Sequence, residues 1–156
     1  MHKMTYVEAL SAGLVRAMEE DESIFVTGIA VDYPSGMFGS TTDALKKFGP
    51  ERVFDAPAME NALTGIAIGA AAVGKRPVIV HPRVDFMFLA FDQLINLAAK
   101  WRYMFGGNSG HVPIVVRGVI GKGLGPRCYS FTKFAQRLRS FSGFACCPSR
   151  NAKGRI

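Results

Sequence analysis

The sequence predicts an α/β fold with a mostly parallel sheet and helices on both faces. Three observations support this class. Short apolar segments alternate with segments of helical periodicity between residues 4 and 118. The strand candidates are continuous apolar runs rather than alternating patterns, as expected for strands buried on both faces. The chain has 156 residues, of which 49% are hydrophobic, and this is enough for one compact domain with its own core.

The first predicted element is a helix in the segment MTYVEALSAGLVRAMEEDES. Its apolar residues recur at helical spacing: Tyr6, Leu10, Leu14 and Met18. Thr5 and Glu8 have the spacing of a capping box at its start. The apolar segment SIFVTGIAV then predicts a strand that ends near Gly28.

The segment DYPSGMFGSTT predicts a loop, because it contains glycine, proline and several small polar residues. Either Ser40 or Thr41 is a candidate cap for the next helix, TDALKKFG. Gly49–Pro50 should end that helix, and RVFDAP predicts the second strand.

The segment ENALTGIAIGAAAVG predicts a buried helix whose small residues permit close packing. RPVIVHP predicts a further apolar strand. FMFLAFDQLINLAAKWRYMFGG predicts one long amphipathic helix that is closed by Gly106–Gly107. VPIVVRG predicts another buried strand, and the alternation ends after VIGKGLGP.

Glu60 is the most informative polar residue. In an open parallel sheet, ligands bind beyond the carboxyl ends of the strands, where GIAVDYPSG, DAPAMEN and HPRVDF should converge. Glu60 opens an almost wholly apolar helix, where an unpaired carboxylate is costly to bury. It is either a first-turn glutamate favoured by the helix dipole, or a partly dry carboxylate that holds or protonates a ligand nitrogen.

Other residues near this edge have simpler interpretations. Phe86 and Phe88 follow the third strand and are expected to pack in the core. Arg83 and Asp85 are spaced to pair with each other. His81 ends the strand and is expected to be a hydrogen-bonded structural residue.

The charge of the chain is concentrated at its C-terminal end. The formal net charge is +7, and the part after residue 126 contains basic residues and no acidic ones: Arg127, Lys133, Arg137, Arg139, Arg150, Lys153 and Arg155. Residues 1–126 therefore carry 12 basic and 12 acidic side chains and are neutral. This distribution argues against a nucleic-acid partner. Cys128, Cys146 and Cys147 lack metal-site spacing, so no metal ligand is predicted. Neither a signal-peptide layout nor a bilayer-spanning apolar run is visible, so we expect a cytoplasmic protein without membrane contact.

Residues 4–126 resemble the N-terminal pyrimidine-binding domain of transketolase-like thiamine enzymes, in particular the beta subunit of 2-oxo acid dehydrogenases of the pyruvate, branched-chain or acetoin type. The resembling stretches are MTYVEAL, FGPERVFDAPAMENALTGIAIGAAAVGKRPVIV, DFMFLAFDQLINLAAKWRYMFGG and VPIVVRG. They occur in the order and spacing of the family. The resemblance implies a thiamine-diphosphate-binding fold that is incomplete at its C-terminus.

The resemblance also implies roles for two residues. Glu60 matches the glutamate that hydrogen-bonds N1′ of the thiamine diphosphate aminopyrimidine and favours the imino tautomer, whose nitrogen takes the C2 proton of the thiazolium. Phe86 matches the aromatic residue that packs on the pyrimidine ring. The implied partners are an alpha subunit that holds the diphosphate and Mg²⁺ in an α2β2 heterotetramer, and the acyltransferase core. The implied reaction is oxidative decarboxylation of a 2-oxo acid with acyl transfer to lipoamide.

The chain departs from the family pattern at several positions. The family commonly has Thr-Pro-Ile-Ser before the glutamate and Gly-Glu-Asp-Val after the first strand, where this chain has APAM and GIAV. After Pro126 the family continues with QHSQ, whose histidine lies in the active site, and this chain does not. Degenerate codons for Ser130–Phe134, read one base forward, can encode HSQSL.

We therefore expect residues 4–126 to be a truncated pyrimidine-binding domain, residues 127–156 to be an aberrant basic tail translated out of frame, and the isolated chain to be inactive. The alternative is a non-catalytic module whose basic tail binds nucleic acid or a protein partner.

Overall fold

The computed structural model describes residues 4–119, which form one four-stranded sheet. All strands are parallel, in the order β2-β1-β3-β4. Their bounds are β1 Ile24–Gly28, β2 Val53–Asp55, β3 Arg76–His81 and β4 Val115–Gly118. The predicted α/β class with a parallel sheet is thus confirmed. The predicted tail, residues 127–156, lies outside the described residues.

Helices cover both faces of the sheet, as predicted. On one face, Val26, Val53 and Val78, which are paired in register, pack with side chains of α1 (Tyr6–Glu20) and α3 (Thr42–Phe48). On the other face, Ile79 packs against α4 (Glu60–Ala72). None of the helices within residues 4–119 combines the length and apolar character needed to cross a lipid bilayer.

The predicted start of α1 and the predicted end of β1 are confirmed. The Glu8 backbone N–H donates to Thr5 Oγ1 at 3.3 Å, and the Thr5 N–H donates to Glu8 Oε2 at 2.6 Å. This is the reciprocal capping box. β1 ends at Gly28, as its glycine predicted.

Arg52 ties the C-terminal end of α1 to the start of β1. Its guanidinium donates hydrogen bonds to three backbone carbonyls, those of Met18, Asp21 and Ile24, at 2.8 to 3.1 Å. Its Cζ also lies 4.7 Å from the centre of the Phe48 ring. One side chain therefore satisfies carbonyls that the end of a helix leaves without intrahelical partners.

Thr41, one of the two predicted caps, is the N-cap residue of α3, but its side chain makes no capping hydrogen bond. The Ser40 hydroxyl donates to the Met37 carbonyl at 2.9 Å, and the Thr41 hydroxyl donates to the Val31 carbonyl at 2.8 Å. Both hydroxyls thus hold the preceding loop rather than the first turn of the helix. That loop contains a short helical turn, α2 (Gly36–Gly39), in which all four residues have positive φ, between 38° and 85°.

The predicted long helix after β3 is a run of different helical segments. They are α5 Val84–Met87, a 3-10 turn Phe88–Ala90, a π-helical segment Asp92–Ala98, and α6 Trp101–Met104. The predicted closure is confirmed, because Gly106 and Gly107 have φ of 65° and 79°. Their N–H groups donate to the Tyr103 and Arg102 carbonyls, which is the Schellman pattern.

Candidate functional site

The carboxyl edge of the sheet gathers the three segments that the sequence placed there, since all the strands are parallel. The loop after β1 is joined to β2 by a hydrogen bond from the Val31 N–H to Asp55 Oδ1 at 2.8 Å. The segment after β2 is joined to β1 by the Ala56 N–H, which donates to the Gly28 carbonyl at 2.8 Å. These contacts fix the approach to α4.

Glu60 is the first residue of α4 and is only 7% exposed. The preceding residue, Met59, provides no side-chain cap to the helix. Within residues 4–119, the Glu60 carboxylate makes no side-chain hydrogen bond or ion pair. The position at a helix N-terminus favours a negative charge there. The structure therefore presents a largely buried glutamate whose carboxylate oxygens have open acceptor capacity.

The first turn of α4 is held against the segment that follows Phe86. Asn61, next to Glu60, donates from Nδ2 to the Leu89 carbonyl at 3.1 Å, and Gln93 Nε2 donates to Asn61 Oδ1 at 3.2 Å. The absence of a side chain at Gly65 matters here, because a Cβ there would lie 3.2 Å from Gln93 Oε1. The chain thus brings Glu60 and Phe86 to the same edge, on segments that are bonded to each other.

Phe86 is not a core residue. Its side chain is 41% exposed and that of Phe88 is 46% exposed, so the expectation that both pack in the core is wrong. The expected pair of Arg83 and Asp85 does not form within the described residues. Instead, Arg83 Cζ lies 5.8 Å from the centre of the Phe86 ring. A half-exposed aromatic face is therefore available at this edge.

His81 ends β3 and is fully buried, yet both of its ring nitrogens lack a hydrogen-bond partner among the described residues. The expected hydrogen-bonded histidine is therefore wrong. Burial lowers the pKa of His81, and the negative charge of Glu60 partly opposes this effect. The hydroxyls of Thr27 and Thr64 are also buried and unpartnered. The sequence signal for them was weak, because threonine is common in apolar strands and helices.

Taken together, the edge combines an unpartnered hydrogen-bond acceptor on a largely buried residue, a partly exposed aromatic face and a buried polar cluster beneath α4. A carboxylate of this kind can accept a hydrogen bond from a ring N–H or hold a proton for it. The aromatic face can pack on a planar ring. The arrangement suits a planar nitrogen heterocycle better than an anion.

Comparison with known proteins identifies the family. Residues 2–141 match the family described as "Transketolase, pyrimidine binding domain", and the chain belongs to it. The match continues beyond residue 126, the predicted end of the domain, and that boundary stays a prediction.

Similar proteins are subunits of dehydrogenases. The chain is 37% identical to the pyruvate dehydrogenase E1 component subunit beta of Cyanidium caldarium over 157 residues, which cover 99% of the chain and 48% of the relative. It is 40% identical to the 2-oxoisovalerate dehydrogenase subunit beta of Bacillus subtilis (strain 168) over 124 residues, which cover 80% of the chain and 38% of the relative. The chain thus spans half or less of the length of these relatives.

Proposed function

We propose that this chain supplies the pyrimidine side of a thiamine diphosphate site in the beta subunit of a 2-oxo acid dehydrogenase. The observation that carries the proposal is Glu60, a largely buried residue whose carboxylate has no partner among the described residues, at the carboxyl edge of the sheet. The family match and the names of the similar proteins support the same assignment. Substrates of the 2-oxo acid class follow from those names, since one relative is named for pyruvate and the other for 2-oxoisovalerate.

The residues at the edge fit the aminopyrimidine of the cofactor. Glu60 would accept a hydrogen bond at N1′ and hold the proton there, and Phe86 would lie against the ring. When bound, thiamine diphosphate supplies the electron sink that decarboxylation requires. The position of Glu60 at the start of α4, where the residue is largely buried, limits the water that can compete for its oxygens.

The remaining parts of the proposal concern other chains. An alpha subunit would hold the diphosphate and Mg²⁺, within an α2β2 assembly that delivers the acyl group to an acyltransferase core. The isolated chain would then be inactive, since it carries only one side of the site. A cytoplasmic location remains a prediction, which cell fractionation with an antibody against the chain tests.

The test of this function is a chimera. Residues 4–119 replace the aligned segment of the Bacillus subtilis 2-oxoisovalerate dehydrogenase subunit beta, which is then assembled with its own alpha subunit. The assay is reduction of an electron-accepting dye that depends on a 2-oxo acid. We expect an active chimera, and we expect Glu60→Gln to lower its rate on the order of 100-fold or more.

The matched control is Glu51→Gln, because Glu51 is an exposed glutamate before β2. It should leave the rate unchanged. Phe86→Leu should weaken thiamine diphosphate binding more than it lowers the rate at saturation. A chimera that assembles and binds no thiamine diphosphate, or one that keeps its rate after Glu60→Gln, contradicts the proposal.

A further inference from the structure

His81 on β3 and Glu60 on α4 lie at the same height along the direction of the strands. Ile79 and His81 are two residues apart on β3, so their side chains share the face on which Ile79 packs against Leu63 and Ala67 of α4. α4 begins at the carboxyl edge and runs antiparallel to β3. Two strand residues advance about 6.6 Å, which equals between four and five helix residues. His81 therefore lies level with the first turn of α4, where Glu60 and Thr64 share one helix face.

The polar atoms at this level have no partners among the described residues. They are both ring nitrogens of His81 and the hydroxyl of Thr64, and the two side chains are fully buried. An apolar residue would fill either position without this cost to folding. A buried polar group that a fold leaves unpaired calls for an explanation, such as a role in a functional site.

We propose that His81 is a positioning residue for Glu60: in the working protein the Thr64 hydroxyl donates to one ring nitrogen of His81, and the other ring N–H donates to the Glu60 carboxylate, directly or through one ordered water. This arrangement satisfies all three orphan atoms at once. The hydrogen bond from His81 fixes one oxygen of the Glu60 carboxylate and leaves the second oxygen for the ligand nitrogen. The inference rests on the proposed function, because it assigns His81 a role in that site.

The charges around His81 are compatible with a neutral imidazole. Glu60 is the charged side chain of α4 that acts on it. Its neighbours on the sheet are uncharged, since Gly118 is paired with it on β4 and Thr27 lies on the same face of β1. Arg83 and Asp85, which follow β3, are exposed. A neutral ring can donate to Glu60 from one nitrogen and accept from Thr64 at the other.

The test is nuclear magnetic resonance of the ring groups of His2, His81 and His111 in the 156-residue chain. We expect one His81 ring N–H that exchanges slowly with water, together with a single neutral tautomer. Glu60→Gln should change the shift of that N–H and move the His81 titration to lower pH. The control Glu51→Gln should leave both unchanged. Thr64→Val should disturb the tautomer without altering the other two histidines.

A second measurement separates positioning from a purely structural role. His81→Leu should lower the rate of the chimera described above, because leucine cannot donate a hydrogen bond to Glu60. His81→Gln should restore part of that rate, because its amide can still donate to Glu60.

Each outcome has a distinct meaning. If the His81 resonances are indifferent to Glu60→Gln while the chimera still depends on Glu60, this inference fails and the proposed function stands. If His81 responds to Glu60 in the chain but the chimera binds no thiamine diphosphate, the pair exists and the proposed function fails. A His81→Leu chimera with the unchanged rate also overturns the positioning role.

Discussion

Replacing Gly28 by alanine should disrupt the contact between β1 and β3. Gly28 is paired with Val80, and a Cβ built on Gly28 would lie 2.2 Å from the Val80 carbonyl oxygen and 2.9 Å from both Val80 C and Val80 N. All three atoms belong to the backbone. A rotamer change in a neighbouring side chain therefore cannot relieve the overlap, and one of the two strands must move.

The size of the effect follows from these distances. Carbon–oxygen contacts between strands are normally about 3.3 to 3.6 Å, so the new methyl group lacks more than about 1 Å of room. Overpacking of this kind typically costs about 1–3 kcal/mol, and a clash with fixed backbone should reach at least the upper end. With an m-value of about 2 kcal/mol/M in urea, a loss of about 3 kcal/mol lowers the unfolding midpoint by about 1.5 M.

Urea unfolding of the chain, followed by far-ultraviolet circular dichroism, measures this shift. Gly69→Ala is the matched control, because Gly69 lies on the exposed side of α4 and a Cβ there meets nothing within 4 Å. That variant should be stabilised by about 0.5–1 kcal/mol, since alanine is the better helix former. A midpoint for Gly28→Ala within about 0.3 M of the unmodified chain would refute the reasoning.

Further predictions concern local contacts, pH and the coding DNA. Arg52→Lys should destabilise the chain by about 1.5–3 kcal/mol in urea unfolding, because lysine cannot reach several carbonyls at once. The control is Arg16→Lys, which alters an exposed ion pair and should change the free energy of unfolding by less than about 0.5 kcal/mol. Thr5→Ala should cost about 1 kcal/mol through the lost capping box, and an unchanged midpoint would contradict the cap. Burial lowers the pKa of His81, so its contribution to the free energy of unfolding should be fully present above pH 6.5, the ordinary pKa of histidine, and should be lost as the pH falls below that value. Thermal melts at several pH values should show this loss in the unmodified chain and not in His81→Leu. Sequencing the gene from codon 120 past codon 156 should show bases for Ser130–Phe134 that encode HSQSL one base forward, and bases that cannot do so would contradict the frameshift.

The features that the sequence predicted well are those with a local cause. The capping box depends on two residues three positions apart, Thr5 and Glu8. The closure at Gly106–Gly107 depends on glycine in the left-handed region. The parallel sheet followed from continuous apolar strands, whose composition reflects burial on both faces.

The features that the sequence missed depend on tertiary contacts. Ser40 and Thr41 are good caps by type, but the loop before them needed their hydroxyls for its own carbonyls. Phe86 was expected in the core because phenylalanine usually is, and only the fold places it at an open edge. His81 was expected to have a partner because buried polar groups usually do, and no pattern in the chain shows that it lacks one.

The surroundings of Glu60 leave room for a ligand in addition to the helix dipole. A carboxylate in the first turn of a helix gains about 0.3–1 kcal/mol from the dipole, and up to about 2 kcal/mol when partly buried. Glu60 is largely buried, and its carboxylate has no ion pair or side-chain hydrogen bond among the described residues. The dipole favours the negative charge but gives the carboxylate oxygens no hydrogen-bond donor. A bound aminopyrimidine, as the proposed function requires, would supply the contact that this carboxylate lacks in the isolated chain.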